Sequence, residues 1–525
     1  MTANNPTDKT LKEINQYIRN KDYINALTLA KQITIDFPNS AHAWMSKSYV
    51  YYCLDECDQA IKAIQKGYKI DESTISFRFQ TLDMLAAMNR PDLVLESAQW
   101  LSRQRQLDAR MYDKLAHTLE MHQDFQSALL VYEKIHNNRP DHPKLLLNVA
   151  RMYHNQGEIK LALSTVNKGL SACPDDASML YFKSYLSTKT VTDNSIDFIE
   201  NVINNKKSIT VDTIKLHYAL AKELEDCQKY KQSFDARKIG AEMFRNGIVY
   251  DVNDDIKFMN QIRKEHTKSF IQSDVVVEPG PVFIVGMPRT GSTLLDRIIS
   301  NHSEVNSAGE LVYFNDCILS GLKSALPNPE ASRLDMVAAT VKLDFEKMRK
   351  QYLKATSMYI GDGKLFTDKL PQNSHYVGLI LKSMPNAKVL IVKRNPVANC
   401  YAVYKQLFNT NAYPYSYDLE ELADYYIAHE KLLNHWEAIG GDAVKGVFYE
   451  DLVNDTAATA KSVCEFLGLQ WEEACLNFHR NKQAVATASS SQVREKIYKK
   501  SLDSWKYYEK ELAPLISKLE ASGCI

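Results

Sequence analysis

Pro281-Val282-Phe283-Ile284-Val285-Gly286-Met287-Pro288-Arg289-Thr290-Gly291-Ser292-Thr293-Leu294-Leu295 is the stretch that decides how this chain is read. Val282 to Val285 is an apolar run short enough for a buried strand, and an amphipathic helix is expected to begin near Ser292. Between them, Gly286 to Thr293 follows the spacing G-x-x-x-x-G-x-[ST]. In a strand-to-helix setting this spacing lets backbone N–H groups at the helix start cradle an anion. Where a nucleoside triphosphatase carries lysine this loop has Ser292, and no convincing magnesium-binding aspartate follows a second strand. Arg289 supplies the charge instead, beside hydroxyls at Thr290, Ser292 and Thr293. That set suits a monophosphate-like anion held without a metal and argues against a metal-dependent NTPase or kinase. A capped helix after a buried strand is the purely structural alternative for the glycine spacing, and Pro288-Arg289 weigh against it.

Downstream, Lys388-Val389-Leu390-Ile391-Val392 and Val444-Lys445-Gly446-Val447-Phe448 are further apolar runs, each followed by a helical pattern. Strands alternating with helices imply a parallel sheet, with ligands outside the carboxyl ends of its strands. The loops after Val285, Val392 and Phe448 are expected to converge there. Upstream, the helical period stops between His266 and Gly280, and Ser273-Asp274-Val275-Val276-Val277-Glu278-Pro279-Gly280 reads as a connector.

Before the connector the chain repeats. Ala26, Ala60, Ala128 and Ala162 stand in matched contexts, Val94 fills the remaining slot, and every interval is 34 residues. Proline follows twelve residues after three of these positions, at Pro38, Pro140 and Pro174. The small residue lets the second helix of a hairpin approach the first, and the proline ends that helix. About five units are clear between residue 9 and about 178, and the pattern decays through Ile196, Phe198 and Tyr218 toward residue 250. Stacked hairpins present a concave surface that binds peptides or protein partners, or they serve as a scaffold packed on the second domain.

The bulk numbers bound what else is possible. At 525 residues the chain is too long for one ordinary core. With 45% apolar residues and 64 Lys+Arg against 64 Asp+Glu, neither disorder nor a basic nucleic-acid binder is indicated, so anion binding must be local. No secretory signal pattern or apolar membrane span is visible, which leads to the expectation of a cytoplasmic protein. The nine scattered cysteines suit buried thiols better than a disulfide framework. Cys53 and Cys57, four apart on one expected helix, read as core packing rather than zinc ligands.

The 34-residue pattern resembles the tetratricopeptide repeat (TPR). Pro281 to Leu295 resembles the 5'-phosphosulfate-binding loop of sulfotransferases that use 3'-phosphoadenylyl sulfate (PAPS), whose usual form is P-R-S-G-T-T-L-L. The similarity covers nearly all of residues 281 to 510. It extends to bacterial proteins joining tetratricopeptide repeats to a sulfotransferase domain, and more distantly to tyrosylprotein sulfotransferases.

The resemblance implies roles residue by residue. Glu310, in Ser307-Ala308-Gly309-Glu310-Leu311, lies 21 residues after Arg289, where tyrosylprotein sulfotransferases place a catalytic glutamate, and is the expected base. Thr367-Asp368-Lys369-Leu370-Pro371 resembles the K-x-P segment, so Lys369 is expected to offset charge on the transferring group. Val389-Leu390-Ile391-Val392-Lys393-Arg394 matches the 3'-phosphate segment, with Arg394 as the bidentate ligand. Phe448-Tyr449-Glu450-Asp451-Leu452 resembles Y-E-x-L, whose tyrosine contacts the nucleotide. Thr487 to Arg494 resembles the loop closing over the donor, with Ser489 near the sulfuryl group. Two departures stand out. Ala402 replaces a serine usual eight residues after the arginine, with Asn399 or Lys405 as substitutes, and Ser504 replaces a basic residue before Trp505, with Lys499, Lys500 or Lys506 as substitutes.

The expected architecture is therefore α followed by α/β. An all-α tetratricopeptide-repeat solenoid occupies 1–250 and a linker 251–280, and a P-loop-like sulfotransferase domain with a central parallel sheet occupies 281–525. The implied activity moves a sulfuryl group from PAPS to a hydroxyl or phenol, protein tyrosine among them. Arg289, Thr290, Gly291, Ser292, Thr293, Arg394 and Tyr449 would hold the donor, Glu310, Lys369 and Ser489 would do the chemistry, and no metal is required. Adenosine 3',5'-bisphosphate is the implied product, and a peptide or protein on the repeats is the implied partner. The alternative is a repeat-based interaction scaffold whose sulfotransferase fold has lost efficient catalysis, motivated by Ala402 and Ser504.

Overall fold

The computed structural model describes residues 6, 8–70, 75–104, 107–138, 142–206, 208–273, 280–326, 328, 330–361, 363–408, 412–481 and 499–525. The chain divides into two compact units, Met1–Ile135 and His136–Ile525.

In the first unit, helices pair into hairpins: Asp8–Arg19 with Tyr23–Asp36, Ala41–Cys53 with Cys57–Ile70, Ile75–Ala87 with Pro91–Ser102, and Ala109–Met121 with Phe125–Asn138. The periodic Ala26, Ala60, Val94 and Ala128 all lie on second helices and are buried, as a close helix contact requires. The turns repeat too. Lys21, Asp55, Asn89 and Gln123 each adopt a left-handed conformation, with φ between 52° and 60°, at the same 34-residue interval. That second periodicity escaped the sequence reading because none of the four is glycine, the usual marker of such a turn. Cys53 and Cys57 prove to lie on two helices rather than one, separated by the turn at Leu54–Glu56.

The second unit continues with helical pairs, including Pro143–Gln156 with Ile159–Ala172 and Val211–Asp226 with Tyr230–Asn246, and then builds a five-stranded parallel sheet. Its strands are β1 Val282–Gly286, β2 Val305–Ser307, β3 Leu365–Lys369, β4 Lys388–Lys393 and β5 Val444–Phe448, in the order β2-β3-β1-β4-β5. β1 was legible as an apolar run because it is buried along its whole length. β2, three residues long, and β3, which carries Thr367, Asp368 and Lys369, lacked that signature. Alternate side chains feed two cores. Phe283, Val285, Val389 and Ile391 pack with Tyr352 and Trp436. Val282, Ile284, Leu390 and Val392 pack with Leu295, Ile298 and Val463 on the other face.

Strand order reverses around β1, so the loops after β1, β3 and β4 open at one topological switch point. The register aligns Ile284 with Lys369 and Gly286 with Val392, placing the β1 loop between the ends of β3 and β4. Within this unit, helices that precede the sheet in sequence pack on elements that follow β4. Arg245 makes a two-pronged contact with Glu421, at 2.6 and 2.7 Å, and Phe244 stacks on Tyr417 at 4.1 Å. Among the described residues no helix is long and apolar enough to cross a membrane.

Candidate active site

The loop from Gly286 to Ser292 turns sharply between β1 and the helix Ser292–Ile299. Arg289 and Gly291 both have positive φ, 68° and 99°. At Gly291 a side chain has no room, because a Cβ would stand 2.3 Å from Cδ2 of Tyr449. Gly291 is also the helix N-cap and offers no side chain to the first-turn N–H groups. The Thr290 hydroxyl donates to the Met287 carbonyl at 2.9 Å and braces the turn. Ser292 and Thr293 bring their hydroxyls into the first helical turn.

At the end of β4, the Arg394 guanidinium lies 4.6 Å from the Tyr449 ring centroid. It donates to the Arg289 carbonyl at 3.0 Å and to the Ser501 carbonyl at 2.6 Å. The Tyr449 hydroxyl shares a hydrogen bond with Ser501 Oγ at 2.8 Å. Arg289, Arg394, Tyr449 and Ser501 thus form one connected group, of which Ser501 was not foreseen. Its signal was weak, a serine three residues before the departure at Ser504.

The substitutes suggested for Ala402 are otherwise engaged. Asn399 is buried and donates to the Pro288 carbonyl at 2.9 Å, holding the loop. Lys405 reaches Glu225 at 3.1 Å, and Glu225 also takes Arg237 at 2.9 Å, whose other nitrogen donates to the Tyr401 hydroxyl at 3.1 Å. Burial pushes the Glu225 carboxyl up, but Lys405 and Arg237 outweigh it and hold the group at about 2. Of the substitutes suggested for Ser504, Lys506 pairs with Asp503 at 2.7 Å.

Across the loop, Glu310 and Lys369 meet as an ion pair, with Lys369 buried and Glu310 38% exposed on its side chain. An exposed carboxylate beside a buried ammonium is a pair that an incoming ligand can divide. Tyr413 lies within electrostatic reach of Glu310, and its hydroxyl pKa is raised by burial and by that carboxylate. Beneath the pair sit two buried carboxyls, Asp296 and Asp368. Burial pushes Asp368 up to about 7 against hydrogen bonds from Tyr352 and from the backbone of Leu311. Asp296 is raised by the same cause. Neither was picked out from sequence, although Asp296 interrupts the apolar face of its helix. Ser489 lies outside the described residues.

The loop, the arginine at the end of β4 and the Glu310–Lys369 pair all fall in one contiguous stretch that can be compared with known proteins. Residues 281–473 match the Sulfotransferase family. The matched segment takes in Arg289, Glu310, Lys369, Arg394 and Tyr449. An uncharacterized protein of Aquifex aeolicus (strain VF5) is 28% identical over 395 residues, covering 73% of this chain and 51% of that protein. Protein-tyrosine sulfotransferase 2 of Gallus gallus is 21% identical over 196 residues, covering 37% of this chain and 53% of that protein. The chain thus spans about half the length of each of these relatives. Among solved structures, the sulfotransferase domain of the Synechococcus PCC 7002 olefin synthase covers 45% of this chain and 90% of its own, at 19% identity and a TM-score of 0.32.

Proposed function

We propose that the protein transfers the sulfuryl group of PAPS to a hydroxyl or phenol. The observation that carries this reading is the Glu310–Lys369 ion pair at the carboxyl edge of the sheet, across from the arginine-bearing loop after β1. Two anion positions are on offer. The helix start at Ser292, with Arg289 and the hydroxyls of Ser292 and Thr293, suits the 5'-phosphosulfate. Arg394, backed by Tyr449 and Ser501, suits the 3'-phosphate. A donor with phosphates at both ends fits two separate cationic positions better than a nucleoside triphosphate does, and Ser292 stands where the triphosphatase lysine would be.

In the reaction proposed, the acceptor hydroxyl approaches the sulfur in line with the leaving phosphate oxygen. Glu310 takes the acceptor proton as the new S–O bond forms, and the Lys369 ammonium offsets charge on the bridging oxygen as the old bond breaks. Ser489 is assigned a hydrogen bond to a sulfuryl oxygen. Donor entry would draw Lys369 away from Glu310 and leave the carboxylate free to act as base. The family relation to protein-tyrosine sulfotransferases makes a tyrosine acceptor part of the proposal, with the repeats of residues 1–250 as the partner-binding surface, 251–280 as linker and 281–525 as the reacting domain. Cytoplasmic placement belongs to the same reading. The scaffold alternative is not favoured, since Arg394 keeps a supporting group in Tyr449 and Ser501 despite Ala402 and Ser504.

Incubation with labelled PAPS and candidate acceptors tests the assignment. Glu310→Ala is expected to abolish transfer while retaining binding of adenosine 3',5'-bisphosphate, and unchanged turnover would remove Glu310 from the mechanism.

A further inference from the structure

Asp296 sits one turn into the helix that starts at the donor loop, is 5% exposed, and points at the sheet. One carboxylate oxygen accepts from Ser307 Oγ at 2.8 Å and the other from Thr367 Oγ1 at 2.5 Å. Those two residues are register partners on β2 and β3, so a single carboxylate spans the strand pair. Because Ser307 donates to Asp296, its lone pairs are turned elsewhere, and Ser307 Oγ accepts the Gly309 N–H at 3.2 Å. Gly309 has a φ of 69°, and its carbonyl accepts the Lys369 N–H at 2.8 Å. The next residue is Glu310. On its far side, the Leu311 N–H is held by Asp368, which also accepts from the Tyr352 hydroxyl at 2.7 Å.

The peptide before Glu310 is therefore held by the Lys369 N–H and the one after it by the buried Asp368 carboxyl, while Asp296 reaches the Gly309 N–H through the Ser307 hydroxyl. A carboxyl this buried costs the fold stability, and a well-packed apolar residue in its place is often neutral or stabilising. What Asp296 provides in return is orientation. We infer that Asp296 is a positioning residue for Glu310: through Ser307 it sets the Gly309 turn, and so couples the helix carrying the donor loop to the placement of the base. This rests on the reading of Glu310 as the base in sulfuryl transfer. The coupling runs through two hydrogen bonds, Ser307 to Asp296 and Gly309 to Ser307, and needs no contact between Asp296 and either substrate. Small misplacements of a reacting group cost on the order of a hundredfold in rate, which sets the size of the effect.

The test uses the full chain with labelled PAPS and p-nitrophenol as acceptor, bisphosphate binding by calorimetry, and hydrogen exchange over residues 305–312. Asp296→Asn keeps the shape and spoils one hydroxyl bond, while Ser307→Ala removes both bonds of the relay and leaves the Asp296–Thr367 bond in place. Both are expected to lower kcat by roughly 10- to 100-fold, with the KM for p-nitrophenol and the bisphosphate affinity within about twofold of wild type. Gly309 amide exchange is expected to quicken, and Ser307→Thr, which keeps the hydroxyl, to restore kcat. A kcat within about twofold of wild type in both variants overturns the inference, as does a loss of bisphosphate affinity matching the loss of kcat. A wild-type protein that moves no label overturns the proposed reaction instead. In that case hydrogen exchange decides the coupling: faster exchange at Gly309 in both variants supports it and unchanged exchange overturns it.

Discussion

Glu225 offers the sharpest test of the electrostatics. Its side chain is 19% exposed and faces Arg237, which is 1% exposed, and Lys405, which is 29% exposed. Glu225→Gln keeps the volume and mimics the protonated acid, so the cost of the variant equals what ionisation contributes. A carboxyl held at about 2 rather than its ordinary 4.5 contributes about 3 kcal/mol at neutral pH, at about 1.4 kcal/mol per tenfold change in proton affinity. The figure agrees with the roughly 3–5 kcal/mol lost when one partner of a buried ion pair is removed. The pKa is depressed in the fold, so this contribution is complete above the ordinary glutamate value and disappears as pH falls through 2. About half of it survives at pH 3. For a unit the size of His136–Ile525, 3 kcal/mol corresponds to a fall in Tm of roughly 4 °C. Urea unfolding followed by pulsed hydrogen exchange in β1 and β4 reports this unit alone. Equal stability of variant and wild type at pH 7 refutes the reasoning, and so does a gap that fails to narrow toward pH 3. Replacing Glu225, Arg237 and Lys405 together by methionine is expected to recover most of the loss, because no buried charge is then left unpaired.

Asp368 has the opposite sign. Its pKa is raised to about 7, so its ionisation weakens the fold as pH climbs toward neutrality, and Asp368→Asn is expected to flatten the fall in stability between pH 4 and 7 seen by calorimetry. Gly291→Ala forces a Cβ to within 2.3 Å of the Tyr449 ring at a φ of 99°, and is expected to lower bisphosphate affinity at least about tenfold while costing about 1–3 kcal/mol of stability. Arg394→Lys loses the planar fork that reaches the Arg289 and Ser501 carbonyls; calorimetry is expected to show a loss of bisphosphate affinity of roughly 10-fold or more. Lys369→Met is expected to reduce transfer by at least about a hundredfold with bisphosphate binding retained, measured with labelled PAPS.

Much of the fold was legible because its signals are local. The 34-residue spacing of small residues marks where helices touch, and the apolar runs at β1 and β4 mark strands buried by their neighbours, while β5 at the sheet edge buries only Val447. β3 hid because, beside Phe366, its buried positions are Thr367, Asp368 and Lys369, polar groups tolerated only through partners such as Asp296, Tyr352 and Glu310. Arg289, Glu310, Lys369, Arg394 and Tyr449 were named from motifs. Ser501, Asp296 and Asp368 were not, since their partners lie far along the chain and the local signals at Ser501 and Asp296 are weak.

By itself, then, the sequence determined the strand-and-helix alternation around β1, β4 and β5, the repeat period and the sharp strand-to-helix loop from Gly286 to Ser292, because backbone geometry and apolar periodicity are set within a few turns of chain. Tertiary structure alone decided which charges survive burial and whom they serve. Asp296 meets Thr367 across 71 residues, and Glu225 meets Lys405 across 180. The free energy of a buried charge is set by the groups that replace its water, and in a folded chain those groups come from anywhere.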